Sequence, residues 1–353
     1  MINGRVRKLI FTILIAGMVF IGDLQNTSKL NIASAQETGQ VTLISDGPCG
    51  GMLCIQLSVS CNGHSDRIVN IRYQPVPSSL GSVIFTSGGY SSEFYADSSL
   101  YSSKTVQTMA ISGFETYELA WAGAYGLGTG ISGTGFSNAF CGYKEIIDFL
   151  STYKFNNPDT VCATGNSAGG MQIAYGLTNY DLDTVLDLAV ISGGPPTGRL
   201  DVACFGSSDP YYSAGIWPMG TFGRIYTDYI YGWERLGDYC KNAIQTPENT
   251  IALQDASIVS PTRARDLDYP FTEMFFVNSI HDSTNNQEQG RFYFDAILSE
   301  KSWLTIPGTI HEVHNTQEGS HLITDLLLGE CKRTAIPLIS YRLAPFNFPL
   351  QFQ

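Results

Sequence analysis

Positive charge is scarce in this sequence. Among its 353 residues, 20 Lys and Arg stand against 32 Asp and Glu, which gives a formal net charge of −12. A nucleic-acid-binding protein needs a basic surface to meet the phosphates, so this balance argues against nucleic acid as a partner. Charged residues of either sign make up only 15% of the chain, whereas hydrophobic residues make up 43%. That composition excludes intrinsic disorder and provides enough apolar material for a large core.

Long apolar runs are missing as well. The mean hydropathy is close to zero, which excludes a protein that crosses a membrane several times. The apolar run near the N-terminus covers residues 9–21. It is shorter than the roughly 20 residues that span a bilayer. Basic residues precede it at positions 5, 7 and 8, and Ala33-Ser34-Ala35 follows it as a small-residue cleavage site.

This three-part layout predicts a secretory signal peptide over residues 1–35. An uncleaved anchor is the alternative, because the stretch between the apolar run and the cleavage site is long for a signal peptide. We expect the mature chain, residues 36–353, to be secreted or periplasmic. We also expect it to have no stable association with a membrane once the signal has been cleaved.

Zinc-type cysteine spacings are absent. The chain has eight cysteines, but no two of them form a C-x-x-C pair. In an oxidising compartment they are expected to form disulfides, a metal site being the alternative. The sequence favours one local pair, Cys204 with Cys240, because both flank the same irregular segment. The remaining cysteines, whose pairing is left open, are Cys49, Cys54, Cys61, Cys141, Cys162 and Cys331.

The pattern of apolar residues predicts strands that come first in hairpins and later alternate with helices. The predicted strands cover residues 53–60, 67–74, 82–86, 115–122, 160–164, 185–192, 273–280 and 302–306. The predicted helices cover about 143–153, 167–178, 287–299 and 316–328. Together they indicate an α/β fold with a mostly parallel eight-stranded sheet and helices on both faces.

One segment, at about 199–262, interrupts this alternation. It is too long for an ordinary connection and is rich in aromatic residues. We expect a single domain, residues 36–353, in which this segment is an insertion. The insertion is either a lid over a site or a surface excursion held by a disulfide. Its aromatic residues include Tyr211, Tyr212, Trp217, Tyr226, Tyr229, Tyr231 and Trp233.

A serine motif stands between a predicted strand and a predicted helix. It reads Gly165-Asn166-Ser167-Ala168-Gly169-Gly170 and contains the G-x-S-x-G pattern of a nucleophile on a tight strand-to-helix turn. Glycines suit this turn because side chains beside the serine would clash with the neighbouring strand and helix. Ser167 is therefore the predicted nucleophile. The N–H of Ala168, at the start of the helix, is a predicted donor to an oxyanion.

A nucleophilic serine needs a base, and the base needs a carboxylate that orients it. In this kind of fold the acid and then the histidine follow the serine along the chain. Asp282 follows the strand at 273–280, and His311 follows the strand at 302–306. Both are therefore expected at the same edge of the sheet as Ser167. These three residues form the predicted catalytic triad.

Other residues compete for the two roles. His314 is the alternative base, because it lies on the same loop as His311. Asp266 and Asp268 are the alternative acids. Three histidines are set aside, namely His64 in an early turn, His281 beside the acid and His321 inside the last helix.

The glycine-rich turn after the strand at 82–86 is expected to supply the second oxyanion donor. That turn reads Ser87-Gly88-Gly89-Tyr90, and its paired glycines allow backbone N–H groups to face the reacting centre. Gly89 or Tyr90 is the predicted donor. An ordinary glycine-rich turn with no such role is the alternative.

A second glycine motif invites a different interpretation. Gly128-Thr129-Gly130-Ile131-Ser132-Gly133 matches the G-x-G-x-x-G spacing of a dinucleotide site. In such a site the first glycine lies in the strand-to-helix turn itself, whereas here the glycines belong to a longer run over residues 123–135. An exported protein would also meet few nicotinamide cofactors. We expect a flexible loop near the site, and neither a cofactor nor a metal.

The strand-to-helix turn that carries Ser167 is called a nucleophile elbow. Given this elbow and the order of serine, acid and histidine along the chain, residues 50–330 resemble the secreted serine esterases of the α/β-hydrolase family. The G-x-S-A-G-G elbow is similar to that of carboxylesterases, feruloyl-type esterases and polyester depolymerases. Ser87 departs from the HGGG turn of lipases, so no subfamily is assigned. The resemblance implies hydrolysis of a small or polymeric carboxylic ester through an acyl-serine intermediate. The aromatic residues of the insertion suggest an apolar or aromatic acyl or alcohol group.

Two other functions stay open. A serine peptidase of the same fold would use the same triad on amides, and a catalytically silent binding protein could share the scaffold. A serine at the elbow argues against dehalogenase chemistry, which uses an aspartate nucleophile on this fold.

Overall fold

The computed structural model describes residues 39–332, with gaps. The gaps are residues 62–65, 90, 123–139, 158–159, 243–245, 264, 283, 309 and most of 206–236, where only residues 224, 227, 228, 231 and 233 are described. The predicted signal peptide, His64, Tyr90 and the glycine-rich run at 123–135 lie outside the described residues. In the part of the chain that is described, none of the helices has the length and apolar character needed to cross a membrane.

The described strands form one nine-stranded sheet. They are β1 (Gln40–Cys49), β2 (Met52–Ser60), β3 (Arg67–Gln74), β4 (Ser82–Thr86), β5 (Glu115–Trp121), β6 (Val161–Asn166), β7 (Leu188–Ser192), β8 (Glu273–Ser279) and β9 (Lys301–Ile306). Their spatial order is β1-β2-β3-β5-β4-β6-β7-β8-β9. The first three strands pair antiparallel, β3 pairs antiparallel with β5, and all pairs from β5 to β9 are parallel.

The expected number of eight strands was wrong by one, because β1 was not predicted. The apolar residues of this exposed edge strand, Val41, Leu43 and Ile44, lie at its start and are followed by Ser45-Asp46-Gly47-Pro48, so no sustained alternation marks the strand. Its backbone is nevertheless paired with β2 along the whole strand, with a register shift between Leu43 and Ser45. The disulfide Cys49–Cys54 closes the hairpin.

Helices cover both faces of the sheet, as predicted. They are α1 (Leu100–Ile111), α2 (Cys141–Tyr153), α3 (Ala168–Tyr180), α4 (Leu200–Phe205), α5 (Pro247–Ala256), α6 (Thr284–Ala296) and α7 (Gln317–Leu326), which continues as a π-helical turn, Leu327–Cys331. Side chains of α2, α3 and α6 pack in one apolar cluster and those of α1 and α7 in another. Alternate residues of each central strand enter the two clusters, as the pleat requires.

Helix α1 was not predicted, because its apolar residues form no single stripe: Leu100 and Ile111 are exposed, and the helix packs partly through hydroxyl groups. The Ser102 hydroxyl, fully buried, donates to the carbonyl oxygen of His314 at 3.0 Å. Thr105 and Ser320 of α7 bond through their hydroxyl oxygens at 2.7 Å. The side chain of Ser99 caps the first turn of α1 by accepting from the N–H of Ser102.

All eight cysteines form disulfides, and the expected pair Cys204–Cys240 is confirmed. The structure settles the open pairings as Cys49–Cys54, Cys61–Cys141 and Cys162–Cys331. The bridge from Cys162 joins β6 to the π-helical turn after α7, across a sequence separation of 169 residues.

Candidate active site

Ser167 lies on the sharp turn between β6 and α3. Its backbone has φ 51° and ψ −109°, a conformation that a residue with a side chain rarely adopts. The turn is held by the N–H of Ser167, which donates to the carbonyl oxygen of Ser192 at 2.8 Å. A Cβ at Gly169 would lie 2.4 Å from the carbonyl oxygen of Thr86, so only glycine allows α3 to approach β4 this closely.

Three side chains from three loops meet at the carboxyl edge of the parallel strands. The His311 ring places Nε2 2.8 Å from the Ser167 hydroxyl oxygen. Its Nδ1 lies 3.0 and 3.1 Å from the two carboxylate oxygens of Asp282. The structure therefore brings together the serine, the acid and the base that the sequence pattern singled out.

The exposure of these groups differs in a way that matters for chemistry. The Asp282 side chain is fully buried, whereas the His311 side chain is 29% exposed. Ser167 is 8% exposed as a residue. A molecule from solvent can thus reach the serine and the histidine, while the carboxylate stays shielded.

The proton on His311 is placed by its neighbours. Burial lowers the pKa of His311, but the hydrogen bond and charge of Asp282, with a smaller contribution from Glu312, raise that pKa above its ordinary value overall. A carboxylate oxygen accepts hydrogen bonds, so the Nδ1 that faces both oxygens of Asp282 carries the proton. Nε2 is then free to accept from the Ser167 hydroxyl.

Asn286 is a site residue that the sequence did not reveal. Its Nδ2 lies 3.1 Å from one carboxylate oxygen of Asp282 and 3.0 Å from Nδ1 of His311. Because Nδ1 of His311 already carries a proton, the Asn286 amide donates to Asp282. The contact crosses the turn between β8 and α6, and a lone Asn there has no sequence signature. The amide of Gln287 also donates, to the Asp282 carbonyl oxygen at 3.0 Å.

The loop carrying His311 approaches the sheet closely. A Cβ at Gly193, which follows β7, would lie 2.5 Å from the carbonyl oxygen of His311. Gly193 also has φ 58°, which favours glycine. This second close approach, like Asn286, was absent from the sequence-based expectations.

The predicted oxyanion donors lie on two elements beside Ser167. Ala168 is the first residue of α3 and is buried, with its N–H at the free end of the helix. The segment of residues 87–91, hereafter the 87–91 loop, reaches the elbow through Gly88, where an added Cβ would lie 3.6 Å from the Ser167 Cβ. Gly89 has φ 56° in this loop. Tyr90, the other predicted donor, lies outside the described residues.

His314, the alternative base, lies against Tyr95 and Ser98 and not against Ser167. His314 is buried against Tyr95, and its Nε2 lies 3.3 Å from the Ser98 hydroxyl. Burial and then the neighbouring charge of His311 lower the pKa of His314 to about 3, so this ring stays neutral. His281 and His321 are exposed.

The alternative acids also lie elsewhere. Asp266 and Asp268 are exposed and precede β8, so they stand at the opposite end of that strand from Asp282. Within the described ranges, no group of three His, Cys, Asp or Glu side chains is arranged to hold a metal ion.

Only part of the insertion at 199–262 is described. Tyr231 and Trp233 are 2% and 1% exposed and stack at 4.4 Å between ring centroids. The Tyr231 hydroxyl lies 2.9 Å from that of Tyr175 on α3. These two aromatic residues therefore belong to the core and do not face a substrate. The remaining aromatic residues that suggested an apolar ligand, Tyr211, Tyr212, Trp217, Tyr226 and Tyr229, lie outside the described residues.

Comparison with known proteins identifies the fold. The sequence matches no protein-family model and no curated protein. Among solved structures, the chain is similar to acetyl xylan esterase 1 from Thermoanaerobacterium sp. JW/SL YS485, with 15% identity and a TM-score of 0.53 over 86% of this chain and 89% of the other. It is also similar to the Pyrococcus horikoshii acylaminoacyl peptidase, with 10% identity and a TM-score of 0.50 over 84% of this chain and 50% of the peptidase. At these identities the likeness shows the fold alone, and the chain has the α/β-hydrolase fold.

Proposed function

We propose that this protein is an exported serine hydrolase that cleaves carboxylic esters, with Ser167 as nucleophile, His311 as general base and Asp282 as the orienting acid. The observation that carries the proposal is the continuous contact from the Asp282 carboxylate through His311 to the Ser167 hydroxyl. Nucleophile, base and orienting acid within hydrogen-bond reach are what acyl transfer by a serine requires.

The first half of the reaction forms the acyl-serine. The Ser167 hydroxyl oxygen bonds to the ester carbonyl carbon while its proton passes to Nε2 of His311. The carbonyl oxygen becomes an oxyanion, for which the N–H of Ala168 and an N–H of the 87–91 loop, from Gly89 or Tyr90, are the proposed donors. When the carbon–oxygen bond to the alcohol breaks, His311 returns its proton to the departing alkoxide.

The second half releases the acid. Water gives a proton to Nε2 of His311 and bonds to the acyl carbon, and the oxyanion forms again at the same donors. The bond to Ser167 then breaks, and His311 returns the proton to the serine oxygen. Asp282 stabilises the imidazolium in both halves without taking its proton. Protein groups and water account for every proton and electron pair, so the proposed reaction needs no metal or cofactor.

The proposed export rests on two observations. The N-terminal residues have the layout of a signal peptide, and the described chain pairs all eight of its cysteines. Stable structural disulfides belong to oxidising compartments such as the periplasm or the cell exterior.

For the substrate we propose a small or polymeric ester with an apolar group next to the scissile bond. Ile310, adjacent to His311, is 59% exposed, and Ile280, two residues before Asp282, is 53% exposed. Both apolar side chains are open to solvent and adjoin triad residues along the chain, which supports an apolar acyl or alcohol group in the proposed substrate.

Labelling with a fluorophosphonate tests the proposal. The mature protein is treated with the reagent and weighed intact beside Ser167→Ala, while turnover of p-nitrophenyl acetate and of a matched p-nitroanilide is followed. One adduct on the wild type, none on the variant, and ester turnover lost in the variant would support the proposal. Faster turnover of the anilide than of the ester would favour a peptidase instead. No adduct on a folded wild-type protein would favour a silent binding protein.

A further inference from the structure

A chain of side-chain hydrogen bonds connects α3 with the 87–91 loop. Nε1 of Trp121, at the end of β5, donates to Oε1 of Gln172 at 2.9 Å. Nε2 of Gln172 donates to the hydroxyl oxygen of Ser91 at 3.1 Å. The Ser91 hydroxyl in turn donates to the carbonyl oxygen of Ser87 at 2.9 Å. The indole can only donate, so the direction of every bond in the chain is fixed.

Ser91 is the residue through which this chain holds the loop. Its backbone N–H donates to Gly88 at 2.9 Å, and its carbonyl oxygen accepts from the backbone N–H of Trp121 at 2.8 Å. It has φ 48° and is fully buried. A residue other than glycine in this conformation is strained, so its hydrogen bonds must compensate.

Gln172 lies between the two proposed sources of oxyanion donors. It is fully buried on α3, one turn after Ala168, and its Nε2 lies 3.5 Å from the Ala168 carbonyl oxygen. The same Nε2 donates to Ser91 of the 87–91 loop, while Oε1 accepts from Trp121. A buried amide with both ends satisfied is rigid, and it transmits the position of one element to the other.

We infer that Gln172 is a positioning residue that fixes the 87–91 loop relative to the N-terminus of α3, and thereby sets the spacing of the oxyanion donors. The inference rests on the proposed function and concerns the same site. The described hydrogen bonds of the Gln172 side chain go to Trp121, Ser91 and Ala168, so Gln172 acts on the loop through Ser91. Its loss should weaken stabilisation of the transition state while leaving binding of the substrate nearly unchanged.

The test compares Gln172→Met, which keeps the length of the side chain, with Thr178→Val as the matched control. Thr178 is also buried on α3, and its hydroxyl bonds to Ala174 and Tyr269, away from the site. We expect Gln172→Met to lower kcat on p-nitrophenyl acetate by about 10-fold or more with KM within about twofold. Thr178→Val should lower the melting temperature to a similar extent and leave kcat within about twofold.

Hydrogen–deuterium exchange supplies a readout that does not depend on turnover. Peptides covering residues 84–94 should exchange faster in Gln172→Met than in the wild type, and at the wild-type rate in Thr178→Val. If Gln172→Met does not fold, Ser91→Ala takes its place, because removal of the Ser91 hydroxyl breaks the same chain of hydrogen bonds. The double variant should lose little more activity than either single variant, because both remove the same connection.

The two proposals fail in distinguishable ways. A folded wild-type protein that takes no fluorophosphonate at Ser167 overturns the proposed function, and the positioning role with it. A labelled wild type, with Gln172→Met at the wild-type kcat and with unchanged exchange at residues 84–94, overturns the positioning role alone. Equal losses of kcat in Gln172→Met and Thr178→Val would also overturn it, since a general loss of stability would then explain both.

Discussion

At the scale of single residues, the contact between His311 and Asp282 decides which nitrogen of the ring carries the proton. In Asp282→Asn the new amide can donate to Nδ1, which leaves the proton on Nε2, where it faces the Ser167 hydroxyl. The ring then cannot accept from the serine. We expect kcat to fall by about 10³- to 10⁴-fold with the fold intact. Steady-state turnover of p-nitrophenyl acetate and circular dichroism measure this.

The matched control is Asp266→Asn, which makes the same chemical change at an exposed position before β8. It should keep the wild-type kcat. Asp282→Asn with a kcat within about tenfold of the wild type would contradict the assignment of the acid.

The raised pKa of His311 predicts how activity depends on pH. The ring must be neutral to accept the serine proton, so kcat/KM should fall as pH drops through the raised pKa, with a midpoint above the ordinary 6.5. Glu312 contributes to raising that pKa, and it is exposed. Glu312→Gln should therefore move the acid limb to lower pH by roughly 0.3 units at low salt and by less at high salt.

Glu318→Gln removes another exposed charge, from the first turn of α7, and serves as the control for this shift. An acid limb that stays in place in Glu312→Gln and moves in Glu318→Gln would show that another group controls the pH dependence. His314 does not enter the profile near neutral pH, because its pKa of about 3 keeps it neutral there.

The sequence reveals site residues only where their chemistry depends on local order. Ser167 was predicted because its glycine neighbours are read directly from the chain, and Asp282 and His311 because each follows a strand. Asn286 and Gln172 act through contacts between elements, and neither stands in a motif. Their partners became visible only when the folded chain brought β8, α6 and the 87–91 loop together. The catalytic roles of the triad remain a prediction.

At the scale of elements, the approach of α3 to β4 depends on a missing side chain. A Cβ at Gly169 would lie 2.4 Å from the Thr86 carbonyl oxygen and 2.9 Å from that of Ser87. Both are backbone atoms and cannot move aside without shifting the strand end. Gly169→Ala should destabilise the fold by about 1–3 kcal/mol and displace the 87–91 loop. Urea unfolding measures the first effect, and kcat measures the second.

Gly47→Ala is the control for this substitution, because nothing lies within 4 Å of a Cβ at that position on β1. Its free energy of unfolding should stay within about 0.5 kcal/mol of the wild type. Equal stability of the two variants would mean that α3 can move away from β4 without cost.

Two elements that escaped prediction, β1 and α1, share one physical reason. Apolar periodicity predicts an element only when a face of that element is buried through apolar side chains. Strand β1 is held at the sheet edge by backbone pairing, and α1 packs partly through the hydroxyls of Ser102 and Thr105. The central strands bury apolar side chains on both faces, and there the predicted bounds agree with the structure to within a few residues.

At the scale of the whole molecule, parallel pairing brings distant parts of the chain to one edge. Strands β6, β8 and β9 run in the same direction, so the residues after them emerge together although long stretches of sequence separate them. This geometry made the grouping of Ser167, Asp282 and His311 predictable without knowledge of the loops. It did not predict how the insertion at 199–262 packs. The buried residues Tyr231 and Trp233 lie between α4 and α5 and belong to no periodic pattern of apolar residues.

The disulfides should stabilise the molecule unequally, according to the length of chain that each one closes. Cys162–Cys331 spans a sequence separation of 169 residues, and Cys49–Cys54 spans 5. Restriction of the unfolded chain predicts losses of about 5 and about 2 kcal/mol when each pair is replaced by alanines. Urea unfolding of the two double variants, Cys162→Ala with Cys331→Ala and Cys49→Ala with Cys54→Ala, measures the difference.

Cavity formation adds to that difference, because Cys162 and Cys331 are fully buried in an apolar cluster, whereas Cys49 and Cys54 are only half-buried. Both pairs lie away from Ser167, so each variant that still folds should keep the wild-type kcat below its unfolding transition. Equal losses of stability would show that the unfolded chain is already constrained near β6 and α7. A larger loss for the short bridge would show that β1, which is exposed along most of its length, depends on Cys49–Cys54 for its place at the sheet edge.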